Sequence, residues 1–232
     1  MIWNRKAYAA THVVVQDETG EVVDWEATDA QRVFLDAQGF GIAEAMDTAQ
    51  RFDLDWSVAK TLIERTSALA LKNGFAAGAS ADHAAPKSWK ELAQAVAWQV
   101  NFIYDAGGLS VILPMPILAK RRASADVFVE VYEGILKESR GPVLLHWLGP
   151  MFLEGMEHYF PENSFERVMA LDTDRIVGAK ISLLDAEREV RLRQSLAPQG
   201  QVIYTGDDFH FTELLAGTGA GVGEYSHALL GI

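Results

Sequence analysis

The sequence predicts a (β/α)8 barrel forming a single domain. Three observations carry this. Short β-type runs alternate with amphipathic helical stretches along the whole chain. The strand-like runs are nearly continuously apolar, the mark of a parallel sheet covered by helices on its outer face. The strand-like runs number eight, which fits a closed barrel better than a doubly wound sheet of five or six strands.

The elements follow in order. Ala7 to Val15 reads as the first strand. Trp25 to Gln38 reads as a helix with Val33, Phe34 and Ala37 on one face, stopped by Gly39. Phe40 to Met46 is the second strand. Asp55 to Lys72 is a long helix, with Asp55 as its cap and Asn73-Gly74 as its end. Phe75 to Ser80 is the third strand, and Ser88 opens a helix that runs to Asp105 and stops at Gly107-Gly108. Leu109 to Leu113 is the fourth strand, ended by Pro114 and Pro116. The helix at Ala125 to Glu138 leads to a fifth strand at Pro142 to Trp147. A short helix at Phe165 to Leu171 precedes the sixth strand, Ile176 to Leu183. The helix from Asp185 to Leu196 precedes the seventh, Gln201 to Thr205. Phe211 to Ala216 is a short helix, and Gly221 to Leu229 is the eighth strand. The count is eight strands and seven helices, with the eighth helix missing. The wall around strands eight and one is therefore expected to expose apolar surface, unless a partner subunit or further residues cover it.

Composition narrows the function. Of the 232 residues, 49% are hydrophobic, enough for a sizeable core. No apolar run approaches the roughly 18 residues that a membrane span needs. Arg5 and Lys6 are not followed by a signal-type apolar core, so a cytoplasmic location and no membrane partner are expected. Cysteine is absent, which removes disulfides, thiolate metal sites and a cysteine nucleophile. The formal net charge of −12 repels phosphate backbones, so nucleic acid is not an expected partner. An anionic substrate would need a locally positive pocket.

Barrel active sites lie at the C-terminal ends of the strands. That turns scattered polar residues into a ring: Thr11 and His12, then Glu44, Asp47 and Thr48, then Ser80, Asp82 and His83. His146 and Trp147, Lys180 and Ser182, Thr205 to Asp208, and Glu224, Ser226 and His227 complete it. Lys180 interrupts the apolar run Ile176 to Ile181. Strand alternation places Gly178, Lys180 and Ser182 on one face, and the outward face of a barrel strand is apolar, so Lys180 should point inward. A buried lysine loses hydration and becomes a nucleophile toward carbonyls. The competing reading is a structural lysine paired with Glu44 or Asp207. His146 ends an apolar strand and suits a general acid–base role, or else a hydrogen-bonded core position. Glu44, His83, His146 and Glu224 form an alternative ligand set for a divalent metal, carried by composition alone. Lys120-Arg121-Arg122 either attracts an anion or is a solvated loop.

The segment from Gly141 to Asp208 resembles the dihydrodipicolinate synthase and N-acetylneuraminate lyase superfamily of class I aldolases. IVGAKISLLDAE is similar to that superfamily's strand-six motif, and the Schiff-base lysine falls on Lys180. VIYTGDD is similar to the strand-seven segment that usually reads SGDD. GPVLLHWLGP sits where the superfamily has a strand ending in a catalytic tyrosine, and here that position is His146. AMDTAQRFDL lies where the superfamily has its GTTGE carboxylate-binding loop; Thr48 matches one of the paired threonines and Asp47 replaces the other. The tyrosine pair after Pro114 and the arginine after strand five have no counterpart. AEAMDTAQR, LLHWLGPMF, KISLLDAEREV and YTGDDF together look closer to a bacterial branch often labelled dihydrodipicolinate synthase-like, whose members run past strand eight, so a C-terminal truncation is expected.

The resemblance implies a Schiff-base aldolase or lyase of carbohydrate metabolism, acting on a 2-oxo acid or keto sugar acid and not on the dihydrodipicolinate pathway. Lys180 and His146 are then catalytic. Thr48, Asp47, Glu44, Ser182, Asp207 and Glu224 bind substrate, no cofactor is required, and a homo-oligomer is expected. A metal-dependent isomerase or lyase and a non-catalytic ligand-binding barrel remain as alternatives.

Overall fold

The computed structural model describes residues 4–16, 22–47 and 50–231. Eight parallel strands close into a barrel in sequence order. They are β1 (Ala7–Ala10), β2 (Gly41–Glu44), β3 (Phe75–Ala79), β4 (Leu109–Ile112), β5 (Val143–Leu148), β6 (Ile176–Ser182), β7 (Val202–Thr205) and β8 (His227–Gly231). Closure is made by β8 pairing in parallel with β1, Leu229 opposite Tyr8. Around them lie α1 (Trp25–Ala37), α2 (Trp56–Ala68), α3 (Trp89–Asp105), α4 (Pro116–Lys120), α5 (Ala125–Glu138), α6 (Ser164–Met169), α7 (Ala186–Leu196) and α8 (Phe211–Ala216). The (β/α)8 reading therefore holds.

The barrel has two apolar cores, as strand alternation requires. Tyr8, Ala10, Ala43, Met46, Ala76, Val111, Leu113, Leu144, Tyr204 and Leu229 fill the inside. The outward residues of the same strands, among them Ile42, Ala77, Ile112, Leu145, Ala179 and Ile203, pack against the helices.

Local chemistry explains most boundaries. Ser88 accepts a hydrogen bond from the Glu91 N–H at the start of α3, and Asp185 accepts one from the Arg188 N–H at the start of α7. Gly107 follows α3 with φ +84°, a left-handed conformation that glycine adopts without steric cost.

Five expectations change. Asp55 stands at the N-cap of α2, but its side chain makes no capping hydrogen bond. Val33 and Phe34 are exposed, whereas Thr28, Arg32 and Leu35 form the buried face of α1, because Arg32 turns inward to a buried carboxylate. β1 ends at Ala10, and Val15 instead makes an antiparallel bridge to Val23. Pro116 does not only end a strand: it opens α4 at a first-turn position, where its missing N–H costs nothing. Among the described residues this makes eight α-helices rather than seven, and the additional one follows β4; none follows β8. Finally, β8 begins at His227. The glycine-spaced stretch before it turns instead of extending, with Gly217 and Gly223 at φ +61° and +83°.

Candidate active site

Register places the central polar side chains on one inward row. His146 of β5 pairs with Lys180 of β6, which pairs with Tyr204 of β7. Lys180 is 1% exposed and His146 is fully buried. The partner of Lys180 is neither Glu44 nor Asp207. It is Asp47, in the loop after β2: Lys180 Nζ donates to Asp47 Oδ1 at 3.3 Å. His146 Nδ1 lies 3.5 Å from the same oxygen, and His146 Nε2 lies 3.3 Å from Ser182 Oγ. Asp47 Oδ2 and His146 Nδ1 are buried without a hydrogen-bond partner among the described residues. Gly206, just after β7, lets the loop close over this group. A Cβ there would collide with Ser182 Oγ and come 3.0 Å from Lys180 Cε.

The electrostatics follow from burial and spacing. Burial pushes the His146 imidazole down to about 3; Asp47 opposes this and Lys180 adds to it. Burial alone would raise the Asp47 carboxyl, but His146 and Lys180 outweigh it and hold it below the ordinary carboxylate value. Since the imidazole is neutral near pH 7, the Lys180 ammonium is the cation that keeps Asp47 ionised. The arrangement at that pH is an ion pair beside a neutral imidazole. Asp208 follows on the β7 loop; burial raises its carboxyl, Lys180 lowers it, and Asp207 raises it further.

The other expected site residues separate. Glu44 faces the helix layer with Ile42, not the barrel interior. Arg32 Nε and Nη2 donate to its two oxygens at 2.9 and 3.1 Å, and Thr66 Oγ1 donates at 2.7 Å. Its place as a substrate ligand is corrected on that ground. Strand alternation, applied to Gly41 to Glu44 as it was to β6, carried the signal. Glu224 lies before β8, at the opposite end of that strand from the mouth, and is bonded to Thr218 Oγ1. Its place in the site is likewise corrected. Asp207 is buried and spent on its own loop: it accepts from the Phe209 and His210 N–H groups and pairs with His210 Nδ1 at 2.9 Å. Ser182 is in the group, beside His146. Thr48 lies outside the described residues.

The alternative metal ligands are dispersed. His83 Nδ1 lies 2.9 Å from Gln99 Nε2 and its ring packs on Trp56 and Trp98, far in connectivity from Glu224 and turned to other partners than Glu44. Among the described residues no group of three or more His, Asp or Glu is placed to hold a metal ion.

Two buried networks were not anticipated. Arg51 donates to Asp82 Oδ2 and Oδ1 at 2.8 and 3.0 Å and to Gln99 Oε1 at 2.8 Å, tying the loop that follows Asp47 to the loop after β3. Glu189 accepts from Ser226 Oγ at 2.6 Å and Thr205 Oγ1 at 3.0 Å, and burial pushes its carboxyl up to about 7. A charged residue on the core-facing stripe of α7 was the available clue for Glu189; Arg51 lies in the turn before α2 and carried no such pattern. No helix among the described residues is long and apolar enough to cross a membrane.

The fold and the group around Lys180 define the class: a parallel (β/α)8 barrel with a buried lysine–aspartate pair inside its C-terminal mouth. The chain belongs to the family described as protein of unknown function DUF993, whose model matches residues 1–232. No curated protein matches the chain. Among solved structures it is similar to dihydrodipicolinate synthase from Bacillus anthracis, with a TM-score of 0.71 and 16% identity over 99% of this chain and 71% of that one. It is similar to CdNal from Clostridium difficile, solved with mannosamine, with a TM-score of 0.71 and 17% identity over 98% and 70% of the two chains. YagE from Escherichia coli K12, of the dihydrodipicolinic acid synthase family and solved with pyruvate, gives 0.70 and 13% over 99% and 70%. Against dihydrodipicolinate synthase from Oceanobacillus iheyensis the chain covers 61% of that protein's length. These likenesses establish a shared barrel fold, the one the sequence motifs pointed to.

Proposed function

We propose that the barrel is that of a class I aldolase or lyase, distinct from dihydrodipicolinate synthase, that makes or breaks a C–C bond through a Schiff base on Lys180. The observation that carries this is the buried Lys180–Asp47 pair, with His146 on the same carboxylate oxygen and two polar atoms left for a ligand. Asp47 relays a proton from the Lys180 ammonium to the substrate carbonyl oxygen as the freed amine attacks the carbonyl carbon. Asp47 relays a second proton from the nitrogen to the carbinolamine hydroxyl, which leaves as water, giving an iminium. The iminium draws the electrons of the adjacent C–C bond as it breaks and becomes an enamine. Neutral His146 accepts the proton from the hydroxyl whose carbon leaves as an aldehyde; addition runs the same steps backward. The iminium is itself the electron sink, so the reaction needs no metal or cofactor. YagE, a solved neighbour, holds pyruvate, which makes 2-oxo acids, and with them keto sugar acids, the first class to test.

The test is hydride reduction in the presence of such compounds, followed by intact-mass measurement of wild type and Lys180→Ala. A reduced adduct on wild type that is absent from Lys180→Ala supports the reading. Saturable ligand binding with no adduct from any carbonyl compound favours the second reading, a non-catalytic binding barrel in which Lys180 is held as the ion-pair partner of Asp47.

A further inference from the structure

Resting on the Schiff-base reading, we propose that the substrate is an uncharged hydroxylated aldehyde or ketone, a sugar-like carbonyl compound without a carboxylate beside the reacting carbon.

Charge comes first. The Lys180 ammonium already has Asp47 Oδ1 at 3.3 Å, with the Asp47 side chain 3% exposed. The β7 loop passes close to Lys180, since a Cβ at Gly206 would lie 3.0 Å from its Cε, and two residues further on it carries Asp208. The charged neighbours that act on Asp208 are Lys180 and Asp207; those that act on Asp47 are Lys180 and His146, and His146 is neutral near pH 7. One cation therefore faces two carboxylates. The buried arginines on the neighbouring elements have their charge matched elsewhere: Arg32 by Glu44, and Arg51 by Asp82 with Gln99 beside it, Arg51 Nη1 alone having no partner among the described residues. A substrate carboxylate would add a third negative charge, repelled strongly by the buried Asp47 and more weakly by the exposed Asp208.

Hydrogen bonding points the same way. Among the described residues, Asp47 Oδ2 is buried with no partner. An ionised carboxylate oxygen only accepts, so it is satisfied by a donor. A hydroxyl supplies one and a carboxylate does not. His146 Nδ1 and Thr11 Oγ1 are also buried without partners. A polyhydroxy carbonyl compound can donate to the first two and exchange a hydrogen bond with the third. The covalent step is unchanged: the Lys180 amine and the carbonyl give an iminium and water, and added hydride reduces the iminium carbon to a stable secondary amine.

The experiment compares probes on the intact protein. Dihydroxyacetone, glyceraldehyde and a ketohexose are set against pyruvate and 2-oxobutyrate, with cyanoborohydride as reductant and Lys180→Ala as background. The amount of adduct is followed against probe concentration. The expected result is half-saturation by at least one uncharged probe at a concentration about tenfold below either acid, with Asp208→Asn narrowing that ratio by admitting the acids. If pyruvate or 2-oxobutyrate saturates at an equal or lower concentration, the substrate class is wrong while the Schiff-base lysine stands. If neither class gives a Lys180-dependent adduct, the Schiff-base reading and this inference fall together. Asp208→Asn is the variant of choice because Asp208 is exposed, so its loss leaves the buried Asp47–Lys180–His146 group in place.

Discussion

Glu44→Gln is the sharpest test of how the barrel is built beneath its mouth. Glu44 is 0% exposed, and the Arg32 side chain that forks onto it is 1% exposed. Two charge-assisted hydrogen bonds from Arg32 and one from Thr66 reach the carboxylate. The remaining guanidinium contacts are the Thr11, His12 and Thr28 carbonyl oxygens and the Gln31 side chain, which are neutral. Glutamine keeps the shape and removes the charge, so the guanidinium is left buried without its counter-ion. Breaking one side of such a pair costs about 3–5 kcal/mol. For a domain of this size, that lowers the melting temperature by roughly 6–20 °C. Arg32→Met combined with Glu44→Leu removes both charges and should return stability to within about 1–2 kcal/mol of wild type. Urea unfolding followed by far-UV circular dichroism reads both, with the slope m unchanged. Because Glu44 faces the helices, adduct formation on Lys180 should survive in folded Glu44→Gln. A loss below about 1 kcal/mol, a double variant as unstable as the sum of the singles, or a folded Glu44→Gln without adduct would refute the reasoning.

Three further outcomes follow from the same geometry. Glu189 has a folded value of about 7 against 4.5 for the free group, so the folded state binds the extra proton between those limits and stability falls as pH rises through that window. Glu189→Gln should abolish that slope and gain up to about 3 kcal/mol at pH 8, measured by urea titration across pH. His146 runs the opposite way: lowered from 6.5 to about 3, it favours the folded state above 6.5, and that stability is lost as pH falls from 6.5 toward 3. His146→Gln should flatten the acid limb of the melting-temperature profile, and an unchanged limb would show that another group sets it. Gly206→Ala forces a methyl group against Ser182 Oγ and Lys180 Cε. It should cost about 1–3 kcal/mol from overpacking and sharply reduce adduct formation, read by melting and by intact mass in parallel.

The barrel was legible because its signals are local and repeated. Eight apolar runs and their helix stops are set by strand burial, caps and glycines within a few residues. Lys180 was legible for the same reason: it breaks an apolar strand, and alternation alone turns it inward. Its partner was harder. Asp47, Glu44 and Asp207 all lie near strand ends in sequence, and only the register and the loop after β2 decide which carboxylate reaches Nζ. Glu224 failed where glycines at left-handed angles bend the chain, shifting the start of β8 by six residues from Gly221 to His227. Arg32 and Glu189 on helices, and Arg51 in the turn before α2, were missed because a charged residue looks solvated until its partners, contributed by other elements, are in place. α4 was missed because Pro116 ends one element and begins the next.

The central claim is that Lys180 is the amine that reacts. It is tested most directly by digesting the hydride-reduced protein and locating the modified lysine by tandem mass spectrometry. The account predicts a single dominant modification on the peptide carrying Lys180, suppressed by Asp47→Asn and absent from Lys180→Ala. Modification spread over exposed lysines such as Lys60 and Lys137, and equal in Lys180→Ala, would contradict it.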